Sequence, residues 1–202
     1  MRAIENPNCT ACQLHQECRN VCLPSLGAVN CKLAIFLPQP DMIEDRRGKG
    51  MVGQRFEFVC WLLRKMGIGI EQVYFDYIIK CHGKLPGKKE DRMAVVRACR
   101  QYLIASLQRL TKLRAVVGLG SIASEVLVGK TKVGEAEGTN WSSYEPALKN
   151  RLDHVWISYD PLYADESPVE SGAIYRTIYV AAQECGLSPH PVMGVSSFNF
   201  NK

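Results

Sequence analysis

Cysteine thiols and a proline-bounded carboxylate loop are the two places where this sequence concentrates reactive side chains. Between Asn8 and Cys31 the chain carries Cys9-Thr10-Ala11-Cys12, then Cys18, Cys22 and Cys31, with little apolar periodicity to hold the segment by a core of its own. A C-x-x-C pair presents two thiolates to one metal from a single tight turn. Two closures are open. Cys9, Cys12, Cys18 and Cys22, or a set including His15, would make a local zinc knuckle; alternatively, two distant cysteines complete a cluster with the first pair. The chain has nine cysteines, and in a reducing cytoplasm these point to metal ligation rather than to disulfides.

The second concentration lies between residues 33 and 53. An apolar run, Leu33-Ala34-Ile35-Phe36-Leu37, stops at Pro38-Gln39-Pro40-Asp41 and continues through Glu44-Asp45-Arg46-Arg47-Gly48-Lys49-Gly50-Met51-Val52-Gly53. A short apolar run bounded by prolines reads as a strand of a parallel sheet, and ligands of open α/β sheets sit beyond the carboxyl ends of the strands. The active site, or its remnant, is therefore expected to begin at Pro38. Glu44 and Asp45 are expected to be solvated or paired with Arg46 and Arg47. A further basic cluster, Lys80, His82, Lys84, Lys88, Lys89 and Arg92, reads either as a solvated face or as a phosphate-binding rim.

Strands and helices must alternate to bring these groups together. Val73 to Ile79, Arg114 to Gly118 and His154 to Ser158 read as further strands, with helices at about Gln54 to Met66, Glu90 to Lys112, Ser121 to Val128 and Val169 to Cys185. The helix from Gln54 places Phe58, Val59, Leu62, Leu63 and Met66 on one stripe, with Arg55, Arg64 and Lys65 elsewhere. Such alternation predicts an α/β fold, a parallel sheet flanked by helices. The loops at Pro38, Leu119 and Tyr159 should open on one edge, and the helix start at Ser121 offers free backbone amides to a phosphate. Lys130 to Arg151 reads as an excursion.

The 202 residues fit one domain, residues 1–202, with a cysteine-bearing segment at 8–31 and an unassigned tail at 186–202. Hydrophobic residues at 47% and charged residues at 22% exclude disordered and fibrous classes. A net charge of +5 permits an anionic partner without demanding one. No apolar leader-like run and no long apolar run is present, so a cytoplasmic protein without membrane contact, a monomer, is expected.

Taken in order, the motifs resemble those of the iron-sulfur branch of the uracil-DNA glycosylase superfamily, over about residues 9 to 180. They are C-x-x-C, a strand ending in a proline loop with Glu44-Asp45-x-x-Gly48 and Val52-Gly53, Val73-Tyr74 leading to Lys80-Cys81, Cys99, Leu119-Gly120-x-x-Ala123 and Tyr159-x-Pro161. The resemblance implies a DNA partner and a 4Fe-4S cluster held by Cys9, Cys12, Cys81 and Cys99, a Cys₄ set that such a cluster uses. Cys18, Cys22, Cys31, Cys60 and Cys185 then default to small buried hydrophobes.

The sequence departs from the family pattern where the chemistry lies. The family's Gly-Glu-Ala-Pro-Gly is Leu37-Pro38-Gln39-Pro40-Asp41 here, the pocket phenylalanine is Met51, the uracil-reading asparagine is Tyr77, and the late histidine is Asp160. Breaking an N-glycosidic bond builds positive charge on the sugar and negative charge on the departing base, so a carboxylate and a donor are needed. The expected roles are Asp41 at the sugar cation or the water, Asp160 at the leaving base, a base pocket from Gln39, Pro40, Met51, Asp76 and Tyr77, and phosphate contacts from Ser121, Lys80 and Lys84. Asp41 and Asp160 also suit simple turn formation before or after proline. Tyrosine cannot imitate an amide's paired donor and acceptor, so a base other than uracil is expected. A modified cytosine such as a hydroxymethylated or glucosylated base of phage DNA would suit, with a pocket carboxylic acid of raised pKa supplying a proton to the leaving base. A binding module without catalysis and a redox sensor are the competing readings.

Overall fold

The structure, a computed structural model, describes residues 6–141, 152, 154–163 and 167–191. Its strands are Leu33–Leu37 (β1), Val73–Tyr77 (β2), Ala115–Leu119 (β3), Asn140–Trp141 (β4) and His154–Ser158 (β5). Its helices are Leu14–Glu17 (α1), Met42–Arg47 (α2), Gln54–Lys65 (α3), Lys89–Arg109 (α4), Ser121–Val128 (α5) and Pro168–Glu184 (α6). The sheet order is β2-β1-β3-β5-β4, parallel except for the short antiparallel β4. The α/β class and the flanked parallel sheet read from the sequence are what the chain forms.

Both faces of this sheet are covered, which explains the continuous apolar runs of its strands. Alternate residues go to opposite layers. Leu33, Ile35, Leu37, Phe75, Tyr77, Val117 and Leu119 pack with α3 and α6 through Phe58, Leu62, Ile174 and Ile178. Ala34, Phe36, Tyr74, Val116, Val155 and Ile157 pack with α4 and α5 through Val96, Leu103, Leu107 and Leu127. Each large apolar side chain withdrawn from water in this way contributes about 1.5–3 kcal/mol.

Chain order sets the place of the site. From β1 the chain crosses to β2 on one side and then to β3 on the other. The crevice at such a reversal, beyond the carboxyl ends of the strands, is where ligands bind in open α/β sheets.

The segment before β1 lies along the outer edge of β2. Leu26 and Phe75 exchange two backbone hydrogen bonds of 2.9 and 2.7 Å. Gly27 is left-handed at φ 118°, and a Cβ there would come within 2.5 Å of the Val73 carbonyl, so glycine is required for this approach. Three of these elements escape the sequence patterns, the first being the short helix α1 within the cysteine segment. The helix α2 sits inside what reads as a polar loop, and β4 falls within the Lys130 to Arg151 excursion; residues 142–151 and 192–202 of the excursion and tail lie outside the described residues.

Candidate functional site

A cleft of about 260 Å³ opens at the carboxyl edge of the sheet, lined by residues following β1, β3 and β5. Pro38 and Gln39, Gly120 and Ser121, and Tyr159 and Asp160 meet there, joined by Arg55 from the first turn of α3. Gly120 is left-handed at φ 85°, and a Cβ on it would meet Pro38 at 2.9 Å, so the two loops touch only because that side chain is missing. Across the cleft Arg55 forms a two-pronged ion pair with Asp160, Nε to Oδ1 at 2.7 Å and Nη2 to Oδ2 at 3.0 Å. Both side chains are mostly buried. The Gln39 amide donates to the Gly83 carbonyl at 3.1 Å, while its own oxygen is buried and, among the described residues, has no hydrogen-bond donor. Arg55 is a site residue that helical periodicity assigned only to the polar side of its helix; its place one residue beyond the Gly53-Gln54 helix start is the signal that could have found it.

Asp41 is placed differently from the expectation. It caps α2, its Oδ1 accepting from the amides of Ile43 and Glu44 and its Oδ2 from the amide of Gln54, while Glu44 completes the box by accepting from the Asp41 amide. The carboxylate is thus spent on three backbone donors at the mouth of a neighbouring hollow that Pro40 and Met42 also line. Gly53 lies against it so closely that a Cβ would sit 1.9 Å from Oδ2. Asp41→Ala should cost about 1 kcal/mol of stability through loss of the cap, read from urea denaturation, and Asp41→Asn should cost less.

Glu44 and Asp45, expected in solvent or with Arg46 and Arg47, are both buried. Glu44 accepts from Val52 at 3.0 Å, from Gly53 at 3.3 Å and from the Tyr77 hydroxyl at 2.6 Å. Asp45 accepts from the amides of Arg19 and Asn20 at 2.8–3.0 Å, fastening the cysteine segment to α2. The physical reason is that α2 exists: one helical turn aims both carboxylates inward at backbone donors, and buried charges demand such partners.

Tyr77 and Asp76 cannot share a base pocket, because neighbouring strand residues point to opposite faces. The Tyr77 side chain is fully buried on the α3 side, with its hydroxyl donating to Glu44 and accepting from the Met51 amide at 2.8 Å. Burial and the charge of Glu44 push its phenol far above the usual tyrosine range. Met51 is itself buried and held left-handed at φ 59°, a strained conformation for a residue with a Cβ. Asp76 faces α4, where it accepts from Ser106 Oγ at 2.6 Å, from the Tyr77 amide at 2.7 Å and from Lys80. Lys80, expected at a DNA phosphate, is 1% exposed and ion-paired with Asp76. Burial works to lower its pKa, but the charge and hydrogen bond of Asp76 lift it above the ordinary lysine value. Its neighbour Lys84 is exposed, as is Ser121 at the start of α5.

The distant cysteines do converge. Cys9, Cys12, Cys22, Cys81 and Cys99 line one small cavity, together with Lys80, His15 and Tyr102. Cys81 comes from the loop after β2 and Cys99 from α4, and burial raises both thiols, Cys99 to about 12 and Cys81 further. Thiols so desolvated ionise only beside a strong positive charge such as a metal centre supplies. Among the described residues no three Cys, His, Asp or Glu side chains close on a single ion. By donor type the cavity lining offers the cysteine set that a 4Fe-4S cluster uses. Cys22, expected as a plain buried hydrophobe, belongs to this ring of thiols.

Residues 24–177 match the Uracil DNA glycosylase superfamily. The chain belongs to that superfamily. Among its relatives, a type-4 uracil-DNA glycosylase of Thermotoga maritima is 30% identical over 125 residues, covering 62% of this chain and 63% of the relative. A type-4 uracil-DNA glycosylase of Archaeoglobus fulgidus is 25% identical over 120 residues, covering 59% of this chain and 58% of the relative. The matched part thus spans less than two thirds of either relative's length. Among the described residues no helix is long and apolar enough to cross a membrane.

Proposed function

We propose that the protein is a DNA glycosylase that releases a base other than ordinary uracil, of the class that carries an exocyclic amino group. The Arg55–Asp160 pair across the cleft carries this reading. Its carboxylate end supplies negative charge for a sugar becoming a cation, and its guanidinium end supplies donors for a base leaving with its electron pair, the two charges that develop when the N-glycosidic bond breaks. Because the pair is already formed, little reorganisation is needed during reaction. Asp160 takes the part at the sugar that Asp41 was expected to play, since Asp41 is engaged by three amides. The bare Gln39 oxygen asks for a donor, which an exocyclic amino group on the pairing edge of a flipped base would provide. Tyr77, with its hydroxyl committed to Glu44 and Met51, offers nothing to uracil. Modified cytosines remain the substrates of interest, and Pro38 and Pro40 shape the wall.

DNA would approach along the exposed Ser121 and Lys84, with Ser121 and the free amides of α5 at a phosphate. A 4Fe-4S cluster held by Cys9, Cys12, Cys81 and Cys99 would fasten the N-terminal segment to the loop after β2 and to α4. When bound it supplies four metal–sulfur bonds and no step of the hydrolysis.

Two measurements test the proposal. Oligonucleotides bearing uracil, cytosine, 5-hydroxymethylcytosine or glucosylated hydroxymethylcytosine, treated with protein and then alkali, should be nicked at an amino-bearing base and left whole at uracil; retained DNA binding with no abasic product from any of them would favour a binding module. Cys99→Ser should purify colourless and with little iron beside a brown wild-type protein, whereas equal iron in both would take Cys99 out of the cluster.

A further inference from the structure

We propose that Glu170 takes the proton from the attacking water, a role that no other carboxylate at the cleft is placed to fill. This rests on the glycosylase reading above and adds to it the residue that turns water into a nucleophile.

Hydrolysis at the sugar carbon asks two things of carboxylates: a charge facing the developing cation, and an oxygen free to accept a water proton. Asp160 meets the first demand but not the second. Its two oxygens face both prongs of Arg55, and Oδ1 also accepts from the Leu162 amide. A proton on Asp160 would cancel the charge the sugar needs. Asp41 is engaged by three amides, and Glu44 by the Tyr77 hydroxyl and the amides of Asp41, Val52 and Gly53.

Glu170 differs on each count. It stands half-buried in the first turn of α6 and lines the same cleft as Gln39, Arg55, Ser121 and Asp160. Asp160 and Glu170 are the acidic residues among the described ones that line it. Ser167-Pro168-Val169-Glu170 has the spacing of a capping box, in which the glutamate would reach back to the serine amide. Only the serine half is made: Ser167 Oγ accepts from the Glu170 amide at 3.3 Å. In α2 the glutamate at the same position, Glu44, does close the box. The Glu170 carboxylate forgoes that local partner and, among the described residues, has no hydrogen bond or ion pair. Its helix is fixed to the sheet by Ala173, Ile174 and Ile178, all buried, so the carboxylate is carried on a rigid element.

In the step itself the water oxygen bonds to the sugar carbon as one water proton moves to Glu170. The carbon–nitrogen bond breaks and its electron pair stays with the base. The proton held by Glu170 then neutralises the released base, and Asp160 keeps its charge throughout.

Single-turnover release from the oligonucleotide that the wild-type protein nicks, beside the dissociation constant for the same DNA, decides the matter. Glu170→Gln keeps the size of the side chain and should slow release by about 10²–10⁴-fold, the usual contribution of a general base, with DNA affinity and circular dichroism unchanged. Glu170→Ala should be equally slow and should recover several-fold when sodium formate supplies a small carboxylate, while the wild type is indifferent to it. A wild-type rate from Glu170→Gln would overturn the proposal, as would a loss confined to DNA affinity or a Glu170→Ala protein unmoved by formate. A wild-type protein that releases no base from any oligonucleotide would instead defeat the glycosylase reading beneath it.

Discussion

Asp160→Asn should lower abasic-site formation by about 10²–10³-fold, the range measured when one preorganised charge-stabilising group is removed from an active site. Asparagine keeps the size of the side chain and an oxygen that can still accept from the Leu162 amide, which Asp160 Oδ1 does at 3.1 Å. It does not keep the charge that faces Arg55. The loss should therefore fall on turnover of bound DNA, with dissociation constants for the same oligonucleotide changed little, because charge is demanded mainly as the sugar becomes cationic. Arg55→Lys should be nearly as damaging, since an ammonium cannot reproduce the two parallel hydrogen bonds of the guanidinium. Unchanged single-turnover rates for Asp160→Asn would remove the pair from the chemistry.

Lys80→Met should destabilise the fold by about 3–5 kcal/mol, the usual consequence of stranding one member of a buried ion pair. Asp76 would keep its bonds from Ser106 and the Tyr77 amide but lose its counter-charge in an otherwise apolar layer. Asp76→Asn/Lys80→Met removes both charges and should recover much of the loss. Lys84→Met, at an exposed position, should stay within about 0.5 kcal/mol of wild type. Denaturant midpoints for the three variants check the pattern. A stable Lys80→Met protein with weakened DNA binding would restore Lys80 to the phosphate rim.

Strands β1, β2, β3 and β5 were legible because each is a short apolar run between turn formers, and β1, β5 and α5 fall on the residues the patterns gave. Helix ends shifted by a residue or a few. What the patterns missed has two causes: partners distant in sequence, and close pairings such as Asp76 with Lys80 that strand and charge patterns do not bring together. Glu44-Asp45-Arg46-Arg47 looks like a solvated charge run, and only the Asp41 cap with the amides of Val52, Gly53, Arg19 and Asn20 turns its carboxylates inward. Lys80 sits in a basic stretch and reads as surface until Asp76 is found one helical-turn equivalent away across the strand end. The family resemblance named the cleft loops and the four cysteines that meet at the cavity, but it could not show that Tyr77 closes onto Glu44 or that a fifth thiol joins the ring.

The strap formed by Leu26 on β2 bears on how the protein behaves when its N-terminal segment is displaced. The two hydrogen bonds it makes to Phe75 leave no room for another chain along that border of the sheet. Peeling residues 8–31 away would bare a row of amides and carbonyls flanked by Phe75 and Tyr74, a template on which a second molecule could add a strand. Preparations with this segment displaced should consequently be lost to precipitation well before their helices melt, so light scattering, rather than ellipticity, is the sensitive gauge of an intact N-terminal segment.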